Sequence, residues 1–550
     1  MTEPFEIADR LTETYADLSP ILATTYGISG RDDRWDDLSP EGHAAKAAFW
    51  RSANAELEPH LGHPDPVQAH AAKVMVGYFK TLIARHEMGH WKRDLNHIYS
   101  PFQAARDTFD IAPDEGPDAW DAIASRLENF GDALDGYRTS LGVGLDDGVT
   151  AARRQVLSVI DQVRAVAGEG SRFNDLAERA AGRGGDEERM KRAVDAARAG
   201  ATVFADWLET EYLPRATPVD GVGRDRYLIG ADNFLGMDLD PEETYQWGWD
   251  EVHRLRAEMA STAAKIHSDR SIEEVITLLD TDPSRSSKDH EDFARFVQRI
   301  QEEAVEQLDG TAFDVPDEIR TVTVNIAPPG GSLGAWYHGP SEDFSRPGSI
   351  WYAPGERARI PYWQEVSTAY HEGFPGHHLQ VGFAQLARDK LCRFHRQLIW
   401  YSGAGEGWAL YAERLMDELG YFDNPEYRLG LQASQLFRSV RVVVDIGAHL
   451  GKTIPADAPL HSGETWDYDL AVDYMEQIGL QARDVAESEV KRYLGWAGQA
   501  IAYKVGEREI LDIRSKAREN SDGDLDWKDF HRRLLEAGAI RLDHLREAMA

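Results

Sequence analysis

The chain has 550 residues, 42% of them hydrophobic, and carries 95 acidic against 60 basic residues for a formal charge of -35. That length can bury one large core or two closely packed ones, and so acidic a surface lacks the basic footprint that nucleic acids and anionic membranes require. Cys392 is the only cysteine, which excludes an intramolecular disulfide and a thiolate metal cage, so any metal falls to histidines and carboxylates.

The N-terminal segment MTEPFEIADRLTETYADLSP has neither a basic start nor an apolar stretch, and no run of about 18 apolar residues follows. The expectation is a cytoplasmic chain that does not enter a membrane. HEMGH, residues 86–90, is the first chemical motif met. It has the form of a two-histidine zinc helix, in which histidines four apart share a face and the intervening Glu serves as base. Its surroundings, RHEMGHWKRDLNHIY, are charged on several faces, and Glu128 is the one acidic partner within view. His86 and His90 are therefore read as structural.

Farther along, AAGRGGDEERMKR (180–192) reads as an exposed turn between helices, and YLPRATPVDGVGRDRY (212–227) interrupts them again. A boundary near residue 215 gives an N-terminal helical lobe over 1–210 and a metal-binding catalytic lobe over 211–550, together one compact unit. Apolar residues recur at three- and four-residue spacing in WDEVHRLRAEMASTAAKI (249–266) and AERLMDELGYF (412–422), so the fold is expected to be mostly α. The exception is residues 319–355, where β-branched alternation gives way to Gly, Pro and aromatics. One or two strands, a small sheet or hairpin, and a long ordered loop are expected there. The loop from Gly330 to Gly348, with Trp336, Tyr337 and His338, is expected to line a substrate channel.

AYHEGFPGHHLQ, residues 369–380, carries the strongest signal. A catalytic zinc site needs neutral imidazoles, an open position for water and a carboxylate to accept its proton. On an unbroken helix His371 and His377 would lie on different faces and about 9 Å apart along the axis; His378 would share the face of His371 but sit about 10 Å away. Pro375 and Gly376 supply a break that lets the chain bulge and return a second imidazole. His377 is preferred as that ligand, with His378 left to face substrate, and Glu372 is placed as general base. The third ligand is sought in GEGWALYAERLMDELG (405–420), where Glu406 and Glu413 are seven apart on one helical face. Glu406, flanked by Gly405 and Gly407, is assigned to the metal, and Glu413 to orienting a ligand from behind. FRSVRVVVDIGAH and EVKRYLGWAGQAIAYKVG then place Arg438, Arg441, His449, Tyr503 and Lys504 in apolar helices. Arg438, Arg441 and Lys504 are candidates for holding substrate, and Tyr503 or His449 for donating to an oxyanion.

The motifs HEGFPGHHLQ, EGWALYAERL, RVVVDIGAH and GQAIAYKVG, in this order, resemble the bacterial domain-of-unknown-function 885 family (DUF885) over roughly residues 210–515. Ala497 stands where that family usually has proline. The resemblance implies a zinc peptidase with HEMGH outside the site. By wider similarity to helical oligopeptidases related to thimet oligopeptidase, it implies two helical lobes around a deep cleft. The resulting expectation is a metallopeptidase acting on short peptides or related amides, with one Zn(2+) per chain on His371, His377 and Glu406. A non-catalytic metal-binding scaffold or sensor is the alternative; it would need no base at Glu372.

Overall fold

The computed structural model describes residues 3–327, 334–341 and 344–550. The chain is mostly α-helical with one three-stranded sheet. Proline opens many of the helices, including those at Pro40, Pro66, Pro241 and Pro425; its fixed φ suits the first helical position and its missing N–H would be unpaired there in any case. Among the described residues no helix is long and apolar enough to cross a membrane.

The contacts divide the chain into two compact units. The first comprises residues 1–233 with two short returns, 393–398 and 487–497. Its helices include α1 (Pro40–Leu57), α2 (Pro66–Glu87), α3 (Arg153–Ala167) and α4 (Glu187–Trp207). The apolar faces of α3, α4 and neighbouring helices close over a core containing Phe102, Trp120, Phe130, Tyr137, Val159 and Phe204, while α1 and α2 pack on each other. Of the stretch 180–192 read as a turn, residues 183–186 form the turn, with Gly184 at a φ of +90°, and residues 187–192 are already the start of α4.

The second unit comprises residues 234–392, 399–486 and 498–550. It contains α5 (Pro241–Ile266), α6 (His290–Leu308), α7 (Tyr362–Glu372), α8 (His377–Leu386), α9 (Ser402–Glu418), α10 (Pro425–Leu450), α11 (Ala502–Asn520) and α12 (Trp527–Glu536). Between α6 and α7 lie β1 (Val322–Ile326), β2 (Gly334–His338) and β3 (Gly348–Ala353). β3 is central, parallel to β1 with Val322 opposite Gly348 and antiparallel to β2 with Gly334 opposite Ala353. Ile350 and Tyr352 of β3 pack on Phe293 and Val297 of α6 and Ala369 of α7, so the sheet supports the helix that carries the HEGF motif. The small sheet expected in residues 319–355 is present, and the span Gly330–Gly348 read as a loop holds β2 and leads into β3; Gly330 and its neighbours through residue 333 lie outside the described residues.

Candidate metal centre

The last turn of α7 ends on His371 and Glu372, and α8 opens on His377. Four hydrogen bonds between side chains and backbone shape the break between them. Gln301 of α6 donates from Nε2 to the Ala369 carbonyl at 2.9 Å and accepts the Phe374 amide on Oε1 at 2.6 Å. The Trp408 indole of α9 donates to the carbonyls of Pro375 and Gly376, at 2.9 and 3.1 Å. A Cβ at Gly376 would stand 2.0 Å from the His371 carbonyl oxygen, so only glycine lets the chain fold back this closely. The consequence is that the His371 and His377 rings come within 4.9 Å, nearly perpendicular at 83°.

α9 brings the carboxylates. Glu406 Oε2 lies 3.3 Å from His371 Nε2 and 3.4 Å from His377 Nε2. Two turns on, the wholly buried Glu413 places Oε1 2.7 Å from His371 Nδ1 and accepts the Ser367 hydroxyl on its other oxygen. Arg438 Nη2 of α10 stands 3.7 Å from the same Oε1. His371 is therefore gripped from behind by Glu413, which fixes its ring and leaves Nε2 facing Glu406 and His377.

The donor set fits a divalent ion. Bonds of about 2.0–2.1 Å in tetrahedral geometry put neighbouring ligand atoms about 3.3 Å apart, the separation found from Glu406 Oε2 to each imidazole. Glu406 Oε2 is buried and accepts no aligned hydrogen bond, which a hydrogen-bonded carboxylate pair would not leave so. Among the described residues, His371, His377 and Glu406 are the one group of three such side chains whose donor atoms converge, all within 4.8 Å. The electrostatics agree. Burial opposes charge on Glu406, yet the two imidazoles hold it well below the usual carboxylate range. Burial likewise opposes protonation of His371, but Glu406 and Glu413 on its two nitrogens raise it to about 9. Carboxylates so arranged attract a cation, and a proton is the smallest one that answers.

Glu372 differs from both. Burial pushes its carboxyl up while His371 and His377 draw it down, and among the described residues it makes no hydrogen bond or ion pair. Tyr503 of α11 stacks its ring on His371, centroids 6.4 Å apart at 17°, with the guanidinium of Arg441 4.8 Å and that of Arg438 5.8 Å from its centroid.

Other expected residues sit elsewhere. His378 is completely buried, its Nδ1 3.0 Å from the Tyr337 hydroxyl and its Nε2 2.8 Å from the Ile319 carbonyl. With both ring nitrogens engaged by protein it pins α8 to β2 rather than facing substrate, and Tyr337 is spent on the same contact. Lys504 is buried too, with Nζ 2.6 Å from Glu507, 2.9 Å from Gln435 and 3.1 Å from Glu251. It is the cation of an internal network, not a substrate ligand. His449 lies buried 3.6 Å from Asp445 of its own helix, which leaves no exposed donor for an oxyanion. Arg441 is buried against Phe437, 4.1 Å from the ring centroid. Three residues that sequence reasoning missed shape the site: Gln301, Trp408 and Trp400. Trp400 is 43% exposed, 6.1 Å from the His377 ring, and its indole covers Gly405.

HEMGH forms no counterpart. Its helix α2 ends at Glu87, Gly89 takes a left-handed φ of +72°, and His90 begins a separate turn. Glu87 points to Arg51 at 3.0 Å and Glu128 to Arg189 at 2.9 Å.

A family described as bacterial protein of unknown function (DUF885) matches residues 20–549. No curated protein matches the chain. Two solved structures share the fold, each described as a "putative lipoprotein". The one from Colwellia psychrerythraea is 20% identical with a TM-score of 0.83, covering 100% of this chain and 99% of its own. That from Shewanella oneidensis, of unknown function, is 19% identical with a TM-score of 0.77 and full coverage of both chains.

Proposed function

The chain belongs to the DUF885 family of bacterial proteins of unknown function, and from that premise and the geometry of its triad we propose a zinc-dependent hydrolase of peptide or related amide bonds, with one Zn(2+) per chain. His371, His377 and Glu406 would hold the ion. A zinc ion at such a site supplies Lewis acidity and lowers the pKa of water. The observation that carries the reading is Glu372. A purely structural site needs no further carboxylate, yet Glu372 directly follows His371, is half-buried, and among the described residues is committed to no hydrogen bond or ion pair.

The protein's own groups then divide the work. Glu372, its carboxyl raised by burial, takes a proton from water and passes it to the leaving amine. Tyr503, beside His371, donates its hydroxyl to the negative charge that develops on the carbonyl oxygen. Glu413 keeps the His371 ring in place. Trp400 offers an exposed indole for an apolar substrate group next to the centre. Cytoplasmic residence is part of the same proposal, since the one cysteine, Cys392, is buried and has no second cysteine with which to form an intramolecular disulfide, as suits a reducing compartment.

Glu372→Gln tests this directly. It preserves shape and removes the proton acceptor, so zinc content should stay at wild type while turnover of a short-peptide pool, read by mass spectrometry, falls about 100- to 10,000-fold. Equal turnover in the variant would remove Glu372 from the mechanism. A zinc-loaded wild type that cleaves neither peptides nor simple amides would leave only the scaffold.

A further inference from the structure

Among the described residues HEMGH brings together no group of three metal-ligating side chains, but it does build something. In the first unit the end of α2 and the segment after it wall a cavity of about 450 Å³, a size typical of small-molecule sites. One wall is a run of flat rings. Trp91 stacks with His43, 5.2 Å away at 27°, and with His86, 6.1 Å away at 17°, and Trp50 meets His86 edge-on at 6.4 Å. Burial holds His43 near a pKa of about 4 and lowers His86 as well, so this wall is uncharged at neutral pH. His43 Nε2 is buried with no hydrogen-bond partner.

The charged groups of the cavity are unequally satisfied. Lys46 is paired with Asp36 at 2.6 Å, and Asp94 faces His90 at 3.5 Å. Arg85 has no such partner. Its Nη1 donates to the neutral Asn233 side chain at 3.0 Å, and among the described residues no carboxylate comes within ion-pair distance. Burial is the main influence on it and opposes its charge, yet a guanidinium cannot shed its proton. Asp94 favours its charge from beyond ion-pair distance, but among the described residues the only hydrogen-bond partner of this desolvated, permanently charged fork is an amide, which is costly unless an anion joins it.

We propose that this cavity is a binding site, separate from the metal centre, for a small organic carboxylate bearing an aromatic ring. The carboxylate would take the free edge of Arg85, and the ring would lie against Trp91 and its flanking imidazoles. His86 and His90 then have a use that explains their place in the lining without any metal.

The probe is 3-phenylpropionate, titrated into the full-length, zinc-loaded protein by calorimetry, with 3-phenylpropionamide as its uncharged match. Binding of the acid is expected with the amide weaker by about tenfold or more, the loss of a charge-assisted contact. Arg85→Gln should reduce the affinity to that of the amide, whereas His371→Ala, which disables the metal centre, should leave acid binding unchanged. The acid-to-amide comparison needs no variant, so the proposal stays testable even if Arg85→Gln folds poorly. No binding of the acid at millimolar concentration, equal binding of acid and amide, or loss of binding in His371→Ala overturns it. The last result would place the ligand at the metal instead.

Discussion

Glu413 lies on the far side of the His371 ring from Glu406 and His377, yet the proposed metal centre would depend on it. Its carboxylate fixes the tautomer and orientation of His371 and is itself held by Ser367 and neighboured by Arg438. Removing its charge while keeping its shape isolates that role. Glu413→Gln is expected to lower zinc affinity about 10- to 100-fold, as loss of such supporting partners does, measured by competition with a chromophoric chelator. Saturating zinc should recover most of the activity, which it cannot do for Glu372→Gln. Unchanged affinity would mean that the His371 ring is held by packing alone. Much at this scale was legible from the sequence: the displaced second histidine, the glycine needed at 376, and the pairing of Glu406 with Glu413 all follow from local helical geometry. His378 was not. Its partners, Tyr337 and the Ile319 carbonyl, come from distant chain, and the sequence next to it carries no trace of them.

Between elements, the decisive contact is the approach of α9 to α11. A Cβ at Gly506 would lie 1.9 Å from the Gly403 carbonyl oxygen, and one at Gly407 would lie 2.5 Å from the Gly506 carbonyl carbon. Backbone cannot yield as a side chain can. Glu406 adjoins Gly407 and Tyr503 lies near the start of α11, so the spacing of these helices sets the positions of both the proposed metal ligand and the proposed oxyanion donor. Gly506→Ala is accordingly expected to destabilise the protein by about 1–3 kcal/mol through overpacking and to weaken zinc binding with it. Gly142, in the helix Phe130–Asp147, is the control: a Cβ there meets nothing within 4 Å, so Gly142→Ala should stabilise by about 0.5–1 kcal/mol. Urea unfolding of the two variants reads the contrast, and equal effects would show that the close approach relaxes freely. The glycines flanking Glu406 announced a close approach of backbone; they did not say to what, because Gly506 lies a hundred residues on. Helix periodicity likewise exposed α5 and α9, and β-branched alternation pointed to a small sheet, whereas β2 lay within the Gly- and Pro-rich stretch that reads as a loop.

Over the whole molecule, composition and periodicity were enough for the mostly helical class, but not for its division. The returns at 393–398 and 487–497 to the first unit are marked by no linker, since a helix that changes partners needs no change in composition. That division has a thermodynamic consequence. The proposed ligands belong to the second unit, and Glu406 follows His371 by 35 positions, so the unfolded chain holds no comparable site. Zinc should bind the native unit alone and raise its unfolding free energy by about 4 kcal/mol at a thousandfold excess over Kd. Amides of α7 and α9 that exchange only through unfolding of their unit should slow about a thousandfold when zinc is added. The core helices α3 and α4 contribute none of these ligands and should be protected less, unless both units open together. Hydrogen exchange followed by mass spectrometry, with and without zinc, measures all four helices in one experiment. Equal slowing everywhere would establish a single cooperative transition and still support the site. No slowing in α7 and α9, or the same slowing in His371→Ala, would mean that zinc does not bind at this triad.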